Sequence, residues 1–231
     1  IGFHTVWLDQ RLAVNGAIFH MDWSDIVLEQ RSPTGLFGFL NNADSAEVDG
    51  VELELMLNAF TGLRLKAALT YLDAELTSNG PVNQQRVAGS ILSRSGLKGD
   101  AIPNVPKWTF NASLDYDQEL PWWDLNGILY INFDYTGESF SDYNQFLLEP
   151  TSLIITNTQN VSYNQQGDYA IVDMRIGLES AGDWSAFLFV ENVFDKRGIT
   201  HVFEDEIFRL DPGLNFFERP RTLGLAFNKL F

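Results

Sequence analysis

The chain has 231 residues, and its 15 Lys and Arg against 31 Asp and Glu give a net charge of −16. This charge argues against a nucleic-acid-binding protein, which needs Lys and Arg to neutralise phosphates. The sequence contains no Cys, which excludes disulfides and thiolate chemistry. Hydrophobic residues make up 45% of the chain, so it is predicted to fold, yet no apolar run approaches the ~20 residues of a membrane-spanning helix.

Apolar residues recur at every second position, which is the period of a β-strand with one apolar and one polar face. The clearest strand, residues 107–116, has on one face Trp108, Phe110, Ala112, Leu114 and Tyr116. Within residues 11–23 the apolar positions change parity midway, which predicts a bulge. No helix is predicted, and the predicted strands are residues 2–8, 11–23, 50–57, 63–71, 107–116, 125–137, 170–179, 184–190 and 222–231.

Short and long connections alternate between these strands. Outer-membrane barrels show this asymmetry, with short periplasmic turns and long extracellular loops. The short turns are predicted near residues 9–10, 60–62, 118–124 and 181–183, and the long extracellular loops near 32–47, 74–106, 138–168 and 195–219. We therefore predict an all-β fold, a transmembrane antiparallel up-and-down β-barrel, with residues 1–231 forming one portion of its wall.

The six Trp residues all fall near predicted strand ends. With the short turns placed in the periplasm, the periplasmic group is Trp7, Trp122, Trp123 and Trp184, and the extracellular group is Trp23 and Trp108. Two aromatic girdles of this kind are typical of a barrel at the two membrane interfaces. The alternative is that Trp side chains cap the core of a soluble β-sandwich.

Four stretches of the chain form a recognisable series. They are NGAIFHMDWSDIVLEQ at 15–30 with NNADSAEVDGVELELML at 41–57, GLRLKAALTYLDAEL at 62–76 with IPNVPKWTFNASLDY at 102–116, YAIVDMRIGLE with WSAFLFVENVFDKRG, and ERPRTLGLAFNKLF at 218–231. In this order and at these spacings they resemble the C-terminal barrel part of a TonB-dependent receptor. The third pair resembles the family's late hairpin, in which Val-x-Asn-x-Phe-Asp closes a strand.

The resemblance implies a barrel of ~22 strands with a plug, of which this chain would supply about nine C-terminal strands without the plug domain. It implies active uptake of a scarce nutrient (siderophore, vitamin or oligosaccharide) across the Gram-negative outer membrane. The implied partners are outer-membrane lipid and lipopolysaccharide, a TonB-type energy transducer acting through the missing N-terminal part, the barrel assembly machinery and a small-molecule ligand. The alternatives are a passive porin and a soluble β-sandwich binding module.

The last predicted strand resembles the signal that the outer-membrane assembly machinery reads, an alternating strand that ends in Phe. The residues that fit are Leu223, Leu225, Phe227 and Phe231. Lys229 departs from the pattern, because its position is usually apolar or aromatic.

Two of the long loops are candidate ligand contacts. Amides beside aromatic rings in the loop 138–168 suit a neutral polar ligand, and the candidates there are Phe140, Tyr143, Asn144 and Tyr163. In the loop 195–219 the candidates are Phe203 and Phe208, although packing of the loop aromatics against one another is the favoured alternative. The acidic net charge favours neutral or cationic ligands over anionic ones.

No catalytic constellation emerges from the sequence, and we predict that the protein is not an enzyme. The three His residues are far apart, and no Ser lies in a G-x-S-x-G elbow. His201 with Glu204 and Asp205 could hold a divalent cation, but a solvated acidic loop is the favoured interpretation. No metal and no cofactor is predicted.

Overall fold

The computed structural model describes residues 1–31, 38–79, 82–83, 92–95, 98–121, 124–141, 145–148, 155–157, 165–180, 183–203 and 214–229, with backbone alone for 28–31, 38–44, 82–83, 92–95, 145–148, 155–157 and 203. The longer strands are β1 (Gly2–Trp7), β2 (Leu12–Arg31), β3 (Gly38–Phe60), β4 (Leu63–Leu76), β7 (Trp108–Leu120), β8 (Leu125–Thr136), β13 (Tyr169–Ser180), β14 (Trp184–Glu191) and β17 (Thr222–Lys229). The short strands are β5 (Val82–Asn83), β6 (Leu92–Ser95), β9 (Ser139–Phe140), β10 (Gln145–Leu148), β11 (Ile155–Asn157), β12 (Gln165–Gln166), β15 (Ile199–Phe203) and β16 (Leu214–Phe217).

The longer strands form one nine-stranded antiparallel sheet in the order β1-β2-β3-β4-β7-β8-β13-β14-β17. Each strand pairs with the strand that precedes and follows it along this order, so the sheet is a meander. The predicted all-β up-and-down architecture is confirmed. Within the described part of the chain β1 and β17 are the two edges of the sheet, and the barrel is not closed. No helix in that part is long and apolar enough to span a membrane.

The register places apolar side chains on one face of the sheet across all nine strands. A representative row pairs Leu12 with Leu57, Leu57 with Leu65, and Leu65 with Leu114. We call this the apolar face, and the opposite one the polar face. Ile18 is 66% exposed and Ile176 is 56% exposed on the apolar face. Among the described residues no second sheet covers this face, which contradicts the sandwich alternative.

The buried core of the described residues is small and lies beyond the end of the apolar face, where the long connections fold. Its one packed cluster among these residues consists of Ile26, Ala46 and Leu76, against which Ile102 packs. Ala74, Phe187 and Val202 are the other buried apolar residues of the described part. A single sheet has no second layer to bury its apolar face. Residues of the sheet proper are therefore mostly half-buried or exposed.

The bulge predicted within residues 11–23 is misplaced. Pairing between β2 and β3 is regular from Leu12 to Trp23, and the register shifts only on either side of Ile26, where Asp25 has φ 57°. The change of parity has another cause, because Phe19 turns to the polar face and covers Gly50 there.

The strands at the long-connection end are longer than predicted. β3 begins at Gly38, so residues 38–47 lie in a strand rather than in the loop predicted near 32–47. The other long connections contain the short strands, which pair as β11-β10-β6-β5, β12-β9 and β15-β16.

Three of the four Trp residues that the structure describes lie at the predicted strand ends. Trp7 closes β1 and Trp184 opens β14 at the short-turn end, while Trp108 opens β7 at the other end with its ring 4.6 Å from that of Tyr71. Trp23 contradicts the prediction, since it lies inside β2 opposite Ala46, on the polar face. Trp122 and Trp123 lie outside the described residues.

Candidate functional site

The polar face carries a hydrogen-bonded amide and carboxylate cluster at the centre of the sheet. Asn111 Nδ2 donates to Asp134 Oδ1 at 2.6 Å and to Asn132 Oδ1 at 3.0 Å. Asn132 Nδ2 also donates to Asp134 Oδ2. The three side chains come from β7 and β8, whose register places them on one face. Such a cluster requires a face in contact with water or with other polar groups, because unpaired polar atoms are costly in an apolar medium.

Charged and polar side chains extend this face towards the β1 edge of the sheet. Asn15 Nδ2 donates to Glu54 Oε2 at 3.2 Å, and His4 Nδ1 is hydrogen-bonded to Asn15 Oδ1. Lys66 Nζ lies 4.0 Å from Asp115 Oδ2. The polar face therefore has the chemistry of a barrel lumen.

Aromatic rings on the polar face cover glycines of the neighbouring strand. A Cβ atom added at Gly177 would lie 2.2 Å from Phe187 Cδ1, and one added at Gly224 would lie 2.1 Å from Phe189 Cζ. The guanidinium carbon of Arg175 lies 3.5 Å from the centre of the Phe187 ring. The rings fill gaps in the wall itself, a function that the alternation of the sequence does not reveal.

Asn192 is a hydrogen-bonding hub at the outer end of β14, and it is 3% exposed. Its Nδ2 donates to the carbonyls of Lys196 and Arg219, both at 2.8 Å, and its Oδ1 accepts from the backbone N–H of Lys196 at 2.9 Å. Its own backbone N–H donates to Asp173 Oδ1 at 2.8 Å. This side chain joins the wall to both ends of the connection between β14 and β17.

Asp195 makes a second link in the same connection. Its Oδ1 accepts from the backbone N–H of Arg221 at 2.9 Å, and this hydrogen bond lowers the pKa of Asp195 below its usual value. The Val-x-Asn-x-Phe-Asp segment is thus a turn whose Asn and Asp side chains bind backbone groups. We assign it a structural role rather than a ligand-binding one.

A second buried polar cluster holds the connections on either side of β7 and β8. Ser139 Oγ donates to Gln166 Oε1 at 3.0 Å, and Gln166 Nε2 donates to Asn104 Oδ1 at 3.1 Å. Ser139 is 5% and Gln166 is 6% exposed. The backbone N–H of Asn104 donates to the carbonyl of Phe140 at 2.6 Å. The link between Asn104 and Gln166 was missed in the sequence, where Gln166 counted only among the loop amides, because nothing in the pattern connects positions so far apart.

The predicted ligand contacts are located only in part. Phe140 lies in β9 opposite Gln165 and is 37% exposed. Phe203 ends β15 opposite Leu214, with only its backbone described. The other candidates, Tyr143, Asn144, Tyr163 and Phe208, lie outside the described residues. No site that unites these candidates is shown, and their role stays a prediction.

Three residues of the predicted assembly signal, Leu223, Leu225 and Phe227, lie on the apolar face of the edge strand β17. Leu223, Leu225 and Phe227 are 68%, 84% and 67% exposed. Phe231 lies outside the described residues. The assembly role stays a prediction.

The described residues contain no cluster of three or more His, Asp or Glu able to hold a metal ion. His201 lies in β15 with its ring 6.0 Å from that of Phe216, and Glu204 and Asp205 lie outside the described part.

A row of charged residues lies on the same side as the apolar face, one row beyond Tyr71 and Trp108. His20 Nδ1 is 2.9 Å from Asp49 Oδ1, and Lys107 Nζ is 2.7 Å from Asp73 Oδ1. The hydrogen bond to Asp49 raises the pKa of His20 above 6.5, and the one to Asp73 raises the pKa of Lys107. This charged row marks the outer limit of the apolar band.

We expect the pKa of His20 to fall towards 6.5 in the Asp49→Asn variant, because the largest cause of its raised pKa is the hydrogen bond to Asp49. The pKa of His20 is higher in the folded state than in the unfolded state. The stabilisation of the fold by the His20–Asp49 pair is therefore fully present below about pH 6.5 and is lost as the pH rises through the raised pKa. An NMR titration of labelled His in both proteins measures the change. An unchanged His20 pKa in the variant would contradict the pairing.

A single antiparallel meander with an apolar outside, a polar inside and aromatic residues at the borders of the apolar band defines the wall of an outer-membrane β-barrel. A sequence model of the family described as "TonB dependent receptor-like, beta-barrel" matches residues 1–193. The chain belongs to the TonB-dependent receptor family, whose members are outer-membrane receptors and transporters.

Relatives within this family include a probable TonB-dependent siderophore receptor, PiuA, of Acinetobacter baumannii. It is 34% identical over 107 residues, which is 46% of this chain and 13% of the relative. The crystal structure of PiuA has a TM-score of 0.67 at 22% identity over 98% of this chain and 27% of that one. The ferric yersiniabactin uptake receptor FyuA of Yersinia pestis has a TM-score of 0.68 at 18% identity, over 100% of this chain and 29% of that one. The chain therefore spans under a third of the length of these relatives.

Proposed function

We propose that this chain is part of the wall of a TonB-dependent transporter that imports a ferric siderophore across the outer membrane. The observation that carries the proposal is the family match over residues 1–193, together with relatives named as siderophore receptors. The apolar face contacts the lipid and the polar face lines the lumen. The chain contributes the wall and outer loops, and the energy-coupled step belongs to parts of the protein outside it.

The edges of the sheet support a longer barrel. β1 and β17 would each leave a row of unpaired backbone groups in the lipid, and each such group costs several kcal/mol. We infer that further strands pair with both edges to complete a barrel of ~22 strands around a plug. The TonB-type transducer then acts on the plug, and the polar cluster of Asn111, Asn132 and Asp134 faces it.

The charge of the chain favours one class of siderophore. A net charge of −16 repels an anionic complex and leaves a neutral one unaffected, although salt screens this effect beyond ~8–10 Å. We therefore propose that neutral ferric hydroxamates are taken up in preference to anionic ferric catecholates. The same negative charge supports divalent-cation bridges to lipopolysaccharide.

Uptake of radioactive iron tests the proposal in the native host under iron limitation. Deletion of the gene is expected to abolish uptake of at least one ferric hydroxamate from a panel of hydroxamates and catecholates, and loss of catecholate uptake alone would contradict the proposed preference. Deletion of the TonB transducer is expected to abolish the same uptake, and re-expression of the gene to restore it. Uptake that persists without the transducer would contradict TonB dependence, and unchanged uptake of every siderophore in the gene deletion would contradict the proposed substrate class.

The porin alternative makes a separate prediction about ion flow. A plugged transporter reconstituted into a planar bilayer is expected to show no steady conductance, whereas a porin shows an open channel. Steady conductance through the intact protein would favour the porin.

A further inference from the structure

A groove lies in the apolar face near its periplasmic end, between β7, β8, β13 and β14. Its volume is about 610 Å³, which is within the range of cavities that bind small molecules. The lining is almost wholly apolar and includes Tyr116, Leu120, Gly127, Leu129, Ile176 and Ala186. The groove therefore opens towards lipid rather than towards the lumen.

Two small residues create the groove. The register places Gln118, Gly127, Leu178 and Ala186 in one row, so Gly127 and Ala186 leave gaps on both sides of Leu178. A Cβ atom at Gly127 would have its nearest neighbour, Leu120 Cδ1, at 3.6 Å. Gly127 thus differs from Gly177 and Gly224, because the nearest side chain is only in van der Waals contact with the added Cβ and does not overlap it. A glycine inside a strand costs stability and often marks a place where a ligand approaches the backbone closely.

The border of the groove has the chemistry of the headgroup region. Trp184 lies two residues before Ala186 on β14, and its ring stacks on Phe227 at 6.3 Å. The Cα partner of Trp184 is Lys229, an exposed cation on the side of the apolar face. Trp is enriched at membrane interfaces, where a Lys ammonium group can pair with a lipid phosphate. Lys229 is also the residue that departs from the apolar pattern of the last strand.

We propose that this groove binds a phospholipid of the periplasmic leaflet, with an acyl chain lying over Gly127 and Ala186 and the phosphate next to Lys229. The occupant follows from the position of the groove, which is continuous with the lipid-facing surface, and from the cation at its border. The proposal rests on the outer-membrane location of the family and is independent of the ligand that is transported.

Native mass spectrometry tests the site. The protein is extracted from the outer membrane in a mild detergent, depleted of lipid and titrated with palmitoyl-oleoyl phosphatidylglycerol. The wild type is expected to bind one lipid more tightly than all later ones. Gly127→Leu and Ala186→Leu each fill the groove, and each is expected to weaken that first binding about tenfold, because the acyl chain loses buried area. Wild-type affinity in both variants would overturn the proposal.

A matched control separates the groove from the rest of the apolar face. Ala112→Leu adds the same side chain at mid-wall on the same face, and it is expected to leave lipid binding unchanged. Retention of the heat-sensitive mobility of folded barrels on gels confirms folding of each variant. If Ala112→Leu weakened lipid binding as much as the groove variants do, the effect would be general to the apolar face, and the proposal of a specific lipid site would also be overturned.

The phosphate contact has its own test. Lys229→Gln is expected to weaken the binding of phosphatidylglycerol about threefold, as for an exposed charge pair, and to leave the binding of dioleoylglycerol, which lacks a phosphate, unchanged. Unchanged phosphatidylglycerol affinity in this variant would overturn the placement of the phosphate.

Discussion

Replacement of Asn192 by Ala is expected to lower the free energy of unfolding by about 4 kcal/mol. The substitution removes three hydrogen bonds of the side chain, to Lys196 and Arg219, at a residue that is 3% exposed. Each such loss costs about 1 kcal/mol, and more where a group is left unsatisfied. Asn192 also has φ 51°, a left-handed conformation that Asn tolerates better than Ala. Holding Ala in this conformation costs about 1 kcal/mol more. Urea unfolding of the protein in lipid vesicles measures the change.

Two variants separate these causes. Asn192→Gly keeps the left-handed backbone accessible and loses only the hydrogen bonds, so it is expected to be less destabilising than Asn192→Ala. Asn228→Ala removes a single exposed hydrogen bond to Ser185 at 3.3 Å, and it is expected to change stability by less than about 0.5 kcal/mol. Equal stability of Asn192→Ala and Asn228→Ala would show that the hub does not hold the connection between β14 and β17.

Replacement of Gly62 by Ala is expected to destabilise the protein by about 3 kcal/mol. Gly62 has φ +87°, and a Cβ atom there would lie 2.1 Å from the carbonyl oxygen of Asp117. Backbone strain contributes about 1–2 kcal/mol, and the clash adds to it because a backbone carbonyl within a strand cannot rotate away as a side chain can. The turn between β3 and β4 must then separate from β7, where Asp117 donates its N–H to the Gly62 carbonyl at 3.0 Å.

A second glycine in a connection provides the control. Gly167 has no heavy atom within 4 Å of an added Cβ and no left-handed φ, so Gly167→Ala is expected to remain within about 0.5 kcal/mol of the wild type. The urea midpoints of unfolding of both variants and of the wild type, measured in the same vesicles, give the two changes in stability. A Gly62→Ala protein as stable as Gly167→Ala would refute the steric argument.

The alternation of the sequence was sufficient to predict the strands and the two faces. In residues 107–116 the predicted apolar set of Trp108, Phe110, Ala112, Leu114 and Tyr116 is the set found on the apolar face of β7. Successive side chains of a strand point to opposite faces of the sheet. A shift of the pattern by one residue would place apolar side chains in water and polar ones in lipid, which is energetically unfavourable. The pattern is therefore strict wherever a strand crosses the membrane.

The alternation does not predict the face of a side chain that packs over a glycine of the neighbouring strand. Phe19 departs from the apolar parity because Gly50 lies opposite it, and Phe187 does so because Gly177 lies opposite. A single sequence does not state which residues of two strands are partners. The bulge and the position of Trp23 were mispredicted for the same reason, because both depend on how β2 pairs with β3.

Composition, period and the series of family-like segments were enough to establish the class of this protein, its membrane location and the apolar and polar faces of its sheet. These properties depend on local geometry, since a period of two and an apolar surface are readable in one strand at a time. The hubs at Asn192 and Gln166 and the groove over Gly127 depend on pairing register and on contacts between residues distant in the chain. They emerged only when nine strands were placed side by side, because register determines which side chains meet.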